Sequence, residues 1–372
     1  MMDSKRKVSI VRCKDYDSLR VYESVKKATD LLGGMSNFVQ KGDNVLLKPN
    51  LLSARAPESG VDTHPEFVRA IVRLVRESGG NPKIGDTPGG SVKRMDDVYE
   101  KSGMRKMAEE EGVELLSFDR IEEVRGIPIA SFALEADLVI TIPKFKTHSL
   151  MVLTGAVKNV FGVVPGLFKT NLHRSFPNYK NFAKVIVDIY SIIKPGLAIM
   201  DGITAMEGEG PASGDLRNIG LVMASNDPVS LDAVFSTIVC VKPFDIETTR
   251  QAHERGLGMG DLNNIEIIGE KVEDVRCTDF NLPKTALLYK VPNPITRAIA
   301  KRLKFKIAVH RNDCTRCSIC VKSCPARAMS MDEKKGVVIN HKMCIFCLCC
   351  HEFCPKKSIY VKESMLAKIV RT

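Results

Sequence analysis

The sequence predicts an α/β domain, a largely parallel sheet flanked by helices, followed by a small C-terminal α+β domain. Three observations carry this expectation. Short apolar runs bounded by Gly, Pro or Asp alternate with helical patterns as far as about residue 285. Several of those runs are apolar throughout, which suits strands covered on both faces. Nine of the 12 cysteines then crowd between Cys314 and Cys354, a separate compositional block.

The elements follow in order. "KVSIVRC" reads as a strand and "LRVYESVKKATDLLGG" as a helix closing on Gly33-Gly34. "NVLLKPN" is a strand. "THPEFVRAIVRLVRESGG" is a helix, with Thr63 and Glu66 as a capping box, Pro65 in the first turn and Gly79-Gly80 at its end. "PKIGD" is a strand leading into the turn "TPGGS". "ADLVITIP", "GLAIMDG", "NIGLVMASN" and "IEIIGE" are further strands, with helices at about 93–111, 181–194 and 228–240. The chain shows neither a fixed-period repeat nor a low-complexity segment. The expected organisation is an α/β domain over 1–290, a basic linker over 291–305 and the cysteine-rich domain over 306–372.

The cysteine spacing names the metal chemistry. "CTRCSICVKSCP" places Cys314, Cys317, Cys320 and Cys324 in the run C-x2-C-x2-C-x3-C-P. "CIFCLCCHEFCP" repeats it with Cys344, Cys347, Cys350 and Cys354. This is the bacterial ferredoxin run, present twice, and it predicts two [4Fe–4S] clusters. Three cysteines wrap one face of a cube, and the fourth begins a helix that leads to the other cube. Cys314, Cys317, Cys320 and Cys354 are therefore assigned to one cluster, and Cys344, Cys347, Cys350 and Cys324 to the other. Cys349 falls outside the spacing and reads as a packed thiol. Paired zinc knuckles are the alternative, but zinc needs no duplicated run of this kind. Residues 306–362 resemble the bacterial-type two-cluster ferredoxin domain, with "AMSMDEKKGVVI" as the hairpin between the runs.

Composition limits the function classes. The formal net charge is +11, which suits an anionic substrate, partner or membrane surface. Two oxidised cubes with their thiolates would lower it by about four units. Trp is absent and aromatic residues make up 6%, a poor supply for stacking nucleic acid bases. No apolar run has the length of a membrane span, and the first residues lack a signal peptide's apolar stretch. The expected location is the cytoplasm. "ITRAIAKRLKF" has a basic amphipathic pattern. It reads as a linker helix with a solvated charged face, as a surface for an acidic electron carrier, or as a membrane-surface helix, the last not favoured.

In open α/β sheets ligands bind beyond the carboxyl ends of strands. Four such ends stand out: Lys48-Pro49-Asn50, Asp86-Thr87, Lys144-Phe145-Lys146-Thr147-His148, and Asp201-Gly202. None forms a dinucleotide fingerprint or a phosphate-binding P-loop. Each has a plain structural reading as turn chemistry or a surface cation, and His148 and His173 read singly as structural histidines. Together with Lys158-Asn159, set in the apolar stretch "GAVKNVFGVVPG", they predict a site for a small anion. His148, Lys158 and Glu207 are the candidate catalytic residues. Lys48, Asn50, Lys144, Lys146, Thr147, Asn159, Asp201 and Asp232 are the candidate binding residues, with the acids opposing the lysines.

"LLKPN", "THPEFVRAIV", "GDTPG", "ADLVITIPKFKTH", "LTGAVKNVFGVVPG", "MDGITAMEGEGPASG" and "ASNDPVSLDAV" resemble a family classed only as a domain of unknown function, over roughly residues 40–245. Its members are common in anaerobic bacteria and archaea and are often joined to a two-cluster ferredoxin domain. The resemblance implies that Lys144, Lys146, Thr147, His148, Lys158, Asn159, Glu207 and Asp232 occupy motif positions. It implies no reaction. The expected function is an iron–sulfur redox protein that passes electrons from a carrier protein or redox enzyme to a small anionic substrate or cofactor. The alternative is an electron-transfer subunit, or a redox-responsive ligand-binding protein, without chemistry of its own.

Overall fold

The structure is a computed structural model describing residues 5–88, 95–117, 120–286 and 305–364. The strands are β1 (Arg6–Arg12), β2 (Asn44–Pro49), β3 (Asn81–Ile84), β4 (Glu114–Leu115), β5 (Ile121–Val124), β6 (Ile127–Ala130), β7 (Leu138–Ile142), β8 (Lys144–His148), β9 (Val152–Leu153), β10 (Leu197–Glu207), β11 (Asp215–Ser225) and β12 (Ile265–Gly269). The C-terminal domain adds β13 (Phe305–Val309), β14 (Met329–Asp332), β15 (Gly336–Ile339) and β16 (Ile359–Glu363).

The main sheet runs β12-β1-β11-β10-β7-β2-β3-β4. From β10 to β4 every neighbour is parallel, as is β12 to β1, while β11 is antiparallel to both its neighbours. It is a mostly parallel mixed sheet flanked by helices. On one face pack the Ser18–Asp30 and Pro65–Glu77 helices, through Val21, Val25, Phe67 and Ile71, against Leu47, Ile140 and Ile199. On the other lie the Tyr179–Ile193 and Pro228–Ile238 helices. Both faces are covered, which is why the central runs carry so few polar residues.

Three local readings need correction. The cap of the Pro65–Glu77 helix is His64, whose Nδ1 accepts from Glu66 N–H at 3.2 Å. Thr63 instead ties two strand ends, accepting from Asn50 N–H and donating to the Ile142 carbonyl. The stretch at about 93–111, patterned as one helix, is two, Met95–Lys101 and Met104–Glu111, parted at Gly103 with φ 75°. "KFKTH", read as a strand end, is the strand β8. It continues β7 after Pro143 and pairs with β10 and β9. Gly89, Gly90 and Ser91 of the "TPGGS" turn, and all but Phe305 of the basic 295–305 segment, lie outside the described residues.

The C-terminal domain pairs β13 with β16 and β14 with β15, both antiparallel. Its two halves repeat in backbone as well as in sequence. Arg316 and Phe346, Ser318 and Leu348, and Arg327 and Lys357 all have positive φ. Each pair is spaced as Cys314 is from Cys344. Non-glycine residues enter this region rarely, so three matched pairs mark one loop built twice. The two domains share an apolar cluster that runs from Phe161 and Phe182 into Ile307, Leu348 and Val361.

Candidate functional site

Parallel β2, β3 and β7 place their carboxyl ends side by side, and the chemistry gathers there. The lysines divide into paired and unpaired. Lys48 and Lys144 are each 1% exposed, so a free ammonium in either place would be costly. Lys48 Nζ donates to Asp86 at 2.8 Å and to the Pro49 carbonyl at 3.0 Å. Asp86 also accepts from Leu51 and Thr87 N–H. Lys144 Nζ donates to Asp201 at 2.7 Å and to Tyr16 Oη at 2.6 Å, and Tyr16 in turn donates to Asp201. Lys146 donates to the Val61 carbonyl; burial pulls its pKa down and the nearby Asp62 carboxylate pushes it back.

The opposing acids are also occupied. Asp232 accepts from Ala156 and Val157 N–H, which holds the start of the Gly155–Asn159 helix that carries Lys158 and Asn159. Burial pushes its carboxyl up to about 7, against the downward pull of those two bonds. Glu207 pairs with Arg217 at 3.1 Å and accepts from Asn281, apart from the lysines. Thr147 Oγ1 accepts from Gly210 N–H and donates to the Met206 carbonyl at 3.5 Å.

Lys158 differs. It is half-buried and, among the described residues, its ammonium makes no hydrogen bond or ion pair. It lines a cavity of about 60 Å³ with Asn50, Asp86, Thr87, Asn159, Phe161, Lys169 and His173. The C-terminal domain contributes Cys349, Glu352 and Phe353 to the wall. Burial lowers the Lys158 pKa, and the Glu352 carboxylate is the main group opposing that. Lys169 donates to the Thr87 carbonyl, and burial draws it down to about 7. His148 is buried beside this wall. Its Nδ1 accepts from Leu150 and Met151 N–H, so its proton sits on Nε2, 3.9 Å from Glu352. Burial, with Lys158 and His173 nearby, drives its pKa well below the usual histidine value.

The pocket therefore joins Lys158, Asn159 and Asn50, which sequence reading proposed, to Lys169 and Glu352, which it did not. Lys48 stands behind the wall through Asp86. Lys144 and Asp201 form a separate buried pair with Tyr16. Lys169 had a weak signal, a cation among apolar residues in "GLFKTNLHR". Glu352 lay hidden inside a cysteine run.

His173 stacks on Phe182, with ring centroids 4.1 Å apart. Burial and two neighbouring lysines lower its pKa to about 3. Because the folded value lies below the unfolded value, its contribution is complete above about pH 6.5. That contribution is lost progressively as pH falls toward 3. From pH 6.5 to 5 the expected loss is about 2 kcal/mol at ~1.4 kcal/mol per unit. His173→Phe should flatten this segment of a denaturation-midpoint profile; an unchanged slope would contradict the buried neutral ring.

The cysteines line two small cavities. Cys314, Cys317, Cys320 and Cys354 surround one, with Ile319, Val337 and Ile359. Cys324, Cys344, Cys347 and Cys350 surround the other, with Ile307, Met329 and Leu348. Four thiols around an apolar cavity are the donor set of a 4Fe–4S cluster, so the residues present fit that group. Cys324 Sγ also accepts from Ala328 N–H at 3.2 Å. Arg55 links the domains, donating to the carbonyls of Ala212 and Cys354 at 2.9 Å each. Lys357 donates to the Gly214 carbonyl.

Fold and cysteine geometry together define an iron–sulfur protein, an α/β domain joined to a ferredoxin-like 4Fe–4S domain. Comparison with known families agrees. Residues 306–355 match a 4Fe-4S dicluster domain, and residues 45–237 match the domain of unknown function DUF362. The chain belongs to the DUF362 family. It is 37% identical over 260 residues to a thylakoid-associated protein from Synechocystis sp., covering 68% of this chain and 80% of that protein. The lactate racemase apoprotein from Thermoanaerobacterium thermosaccharolyticum superposes with a TM-score of 0.38 at 13% identity, covering 61% of this chain and 55% of that one. No helix among the described residues is long and apolar enough to cross a membrane.

Proposed function

We propose that this protein is a redox protein with two [4Fe–4S] clusters, one per cysteine cavity, that exchanges electrons with a small anion held at Lys158. The observation that carries the reading is the pocket itself. An unpaired lysine of the α/β domain faces a wall made by the Cys349–Glu352 helix, which lies between the cluster ligands Cys347 and Cys354. Bound clusters would supply one-electron transfer. The protein's own groups do the rest. Lys158 and Lys169 draw the anion in, while Phe161 and Phe353 limit water. His148 presents Nε2–H toward Glu352 and holds a proton there. Electrons would come from a carrier protein, and the exposed Lys334, Lys335 and Lys342 suit an acidic one.

The test is native mass spectrometry of anaerobically purified wild type and Lys158→Ala. About eight irons per chain are expected in both, as two four-iron clusters require. A small bound mass should be present in the wild type and lost in the variant. The reduced wild type should be reoxidised faster by that molecule than the variant. Two clusters, no added mass, and no anion that speeds reoxidation would instead indicate an electron-transfer subunit.

A further inference from the structure

We propose that the pocket selects a singly charged oxyanion of about four to six non-hydrogen atoms, and that Glu352, contributed by the iron–sulfur domain, is the residue that sets this charge. The inference rests on the reading of the pocket as a ligand site, and names the ligand's size and charge.

Size follows from volume. A cavity of about 60 Å³, at roughly 10–15 Å³ per water-sized occupant, holds about four to six such atoms. A short carboxylate or a nitrate fits. A flavin or a dinucleotide is too large for it.

Charge follows from what is already paired. Lys48 is neutralised by Asp86 in a buried ion pair at 2.8 Å. Lys144 is neutralised by Asp201 at 2.7 Å, outside the pocket. Asp62 is the acid that acts most strongly on Lys146. Asp86 is spent on Lys48 and on two backbone N–H groups. His148 and His173 are neutral for the reasons given above. What remains on the wall is Lys158 and Lys169 against the Glu352 carboxylate. Among the side chains of this wall, two cations facing one anion leave one positive charge uncompensated, and a single negative charge closes that balance; bound clusters, themselves negative, would oppose any further anionic charge. A dianion would meet Glu352 as a like charge in a partly buried site, where such repulsion is stronger than in bulk water. Burial works against the charged form of both lysines, and a bound anion beside them favours it.

Glu352 is placed by its own short helix and lies beside His148. His148 Nε2 lies 3.9 Å from its carboxylate. Its N–H donates to the Leu348 carbonyl at 3.0 Å, within the short helix that follows Cys347. Charge selection therefore belongs to the domain that holds the clusters, and lysines and acid meet only when the two domains are docked.

The experiment is titration calorimetry on the iron-loaded protein, each variant first shown to keep wild-type iron. Glycolate and nitrate are the singly charged probes, oxalate the dianion of similar size, and flavin mononucleotide the large control. Wild type should bind glycolate or nitrate at least about tenfold more tightly than oxalate, and should not bind the flavin. Glu352→Gln should reverse the glycolate–oxalate order, and Lys158→Met should weaken both. Which of glycolate and nitrate binds tighter separates a carboxylate ligand from an inorganic one. Oxalate preferred by the wild type, an unchanged ratio in Glu352→Gln, or flavin binding would each overturn the inference while leaving a ligand pocket. Binding of none of the probes, with no bound mass in the native spectrum, would remove the pocket reading as well.

Discussion

Lys48→Met should destabilise the α/β domain by about 3–5 kcal/mol, the range for breaking one side of a buried ion pair. Lys48 and Asp86 are 1% and 3% exposed, and 2.8 Å separates them. With the ammonium gone, a carboxylate would remain in an apolar interior with only the Leu51 and Thr87 N–H groups to hold it. The loss would spread further. Lys48 Nζ also approaches Asn159 Oδ1 at 3.4 Å, and Asn159 Nδ2 donates to the Lys48 carbonyl at 3.0 Å and Thr141 Oγ1 at 2.9 Å. The pair therefore helps orient the residue beside Lys158. Space around it is tight enough that a Cβ at Gly162 would collide with both Asp86 and Lys48. Lys48→Met/Asp86→Asn should recover part of the loss, because the neutral amide still accepts one N–H bond. Denaturant midpoints with iron retained would measure this. A single-variant cost below about 1 kcal/mol, or full additivity in the double variant, would show that the pair is not coupled.

The second large effect concerns the crossed cysteines. Cys324→Ser should cost about four of about eight irons, as removal of one cluster requires. Cys344→Ser should do the same, and the double variant should lose no more than either single one, since both residues line one cavity. Cys324→Ser combined with Cys317→Ser should lose nearly all iron, because Cys317 lines the other cavity. If each run instead held its own cluster, the two double variants would exchange results. Iron and sulfide analysis of the three single and two double variants decides between the arrangements.

Much of this molecule was readable from local pattern. Strand order in the chain, the helix ends at glycines and the eight spaced cysteines depend on residues near one another in sequence. Turn chemistry, periodicity and ligand spacing report such features directly. Local pattern misleads where two local solutions compete. Thr63 has the chemistry of a helix cap, but tertiary contacts with Asn50 and Ile142 claim its hydroxyl, and His64 caps instead. Gly103 was free to break a helix that periodicity alone extended.

The candidate site was legible only as a composition. Sequence identified a surplus of lysines near strand ends, and by itself it determined the α/β class and the two ferredoxin runs. Tertiary structure decided which lysines are already neutralised. Lys48 finds Asp86 across 38 positions and Lys144 finds Asp201 across 57, while Lys158 pairs with no acid of its own domain among the described residues. It also brought Glu352 into that pocket from the cysteine-rich domain. Charge pairing acts through space and depends on burial, so no spacing along the chain can show which cation is left unpaired.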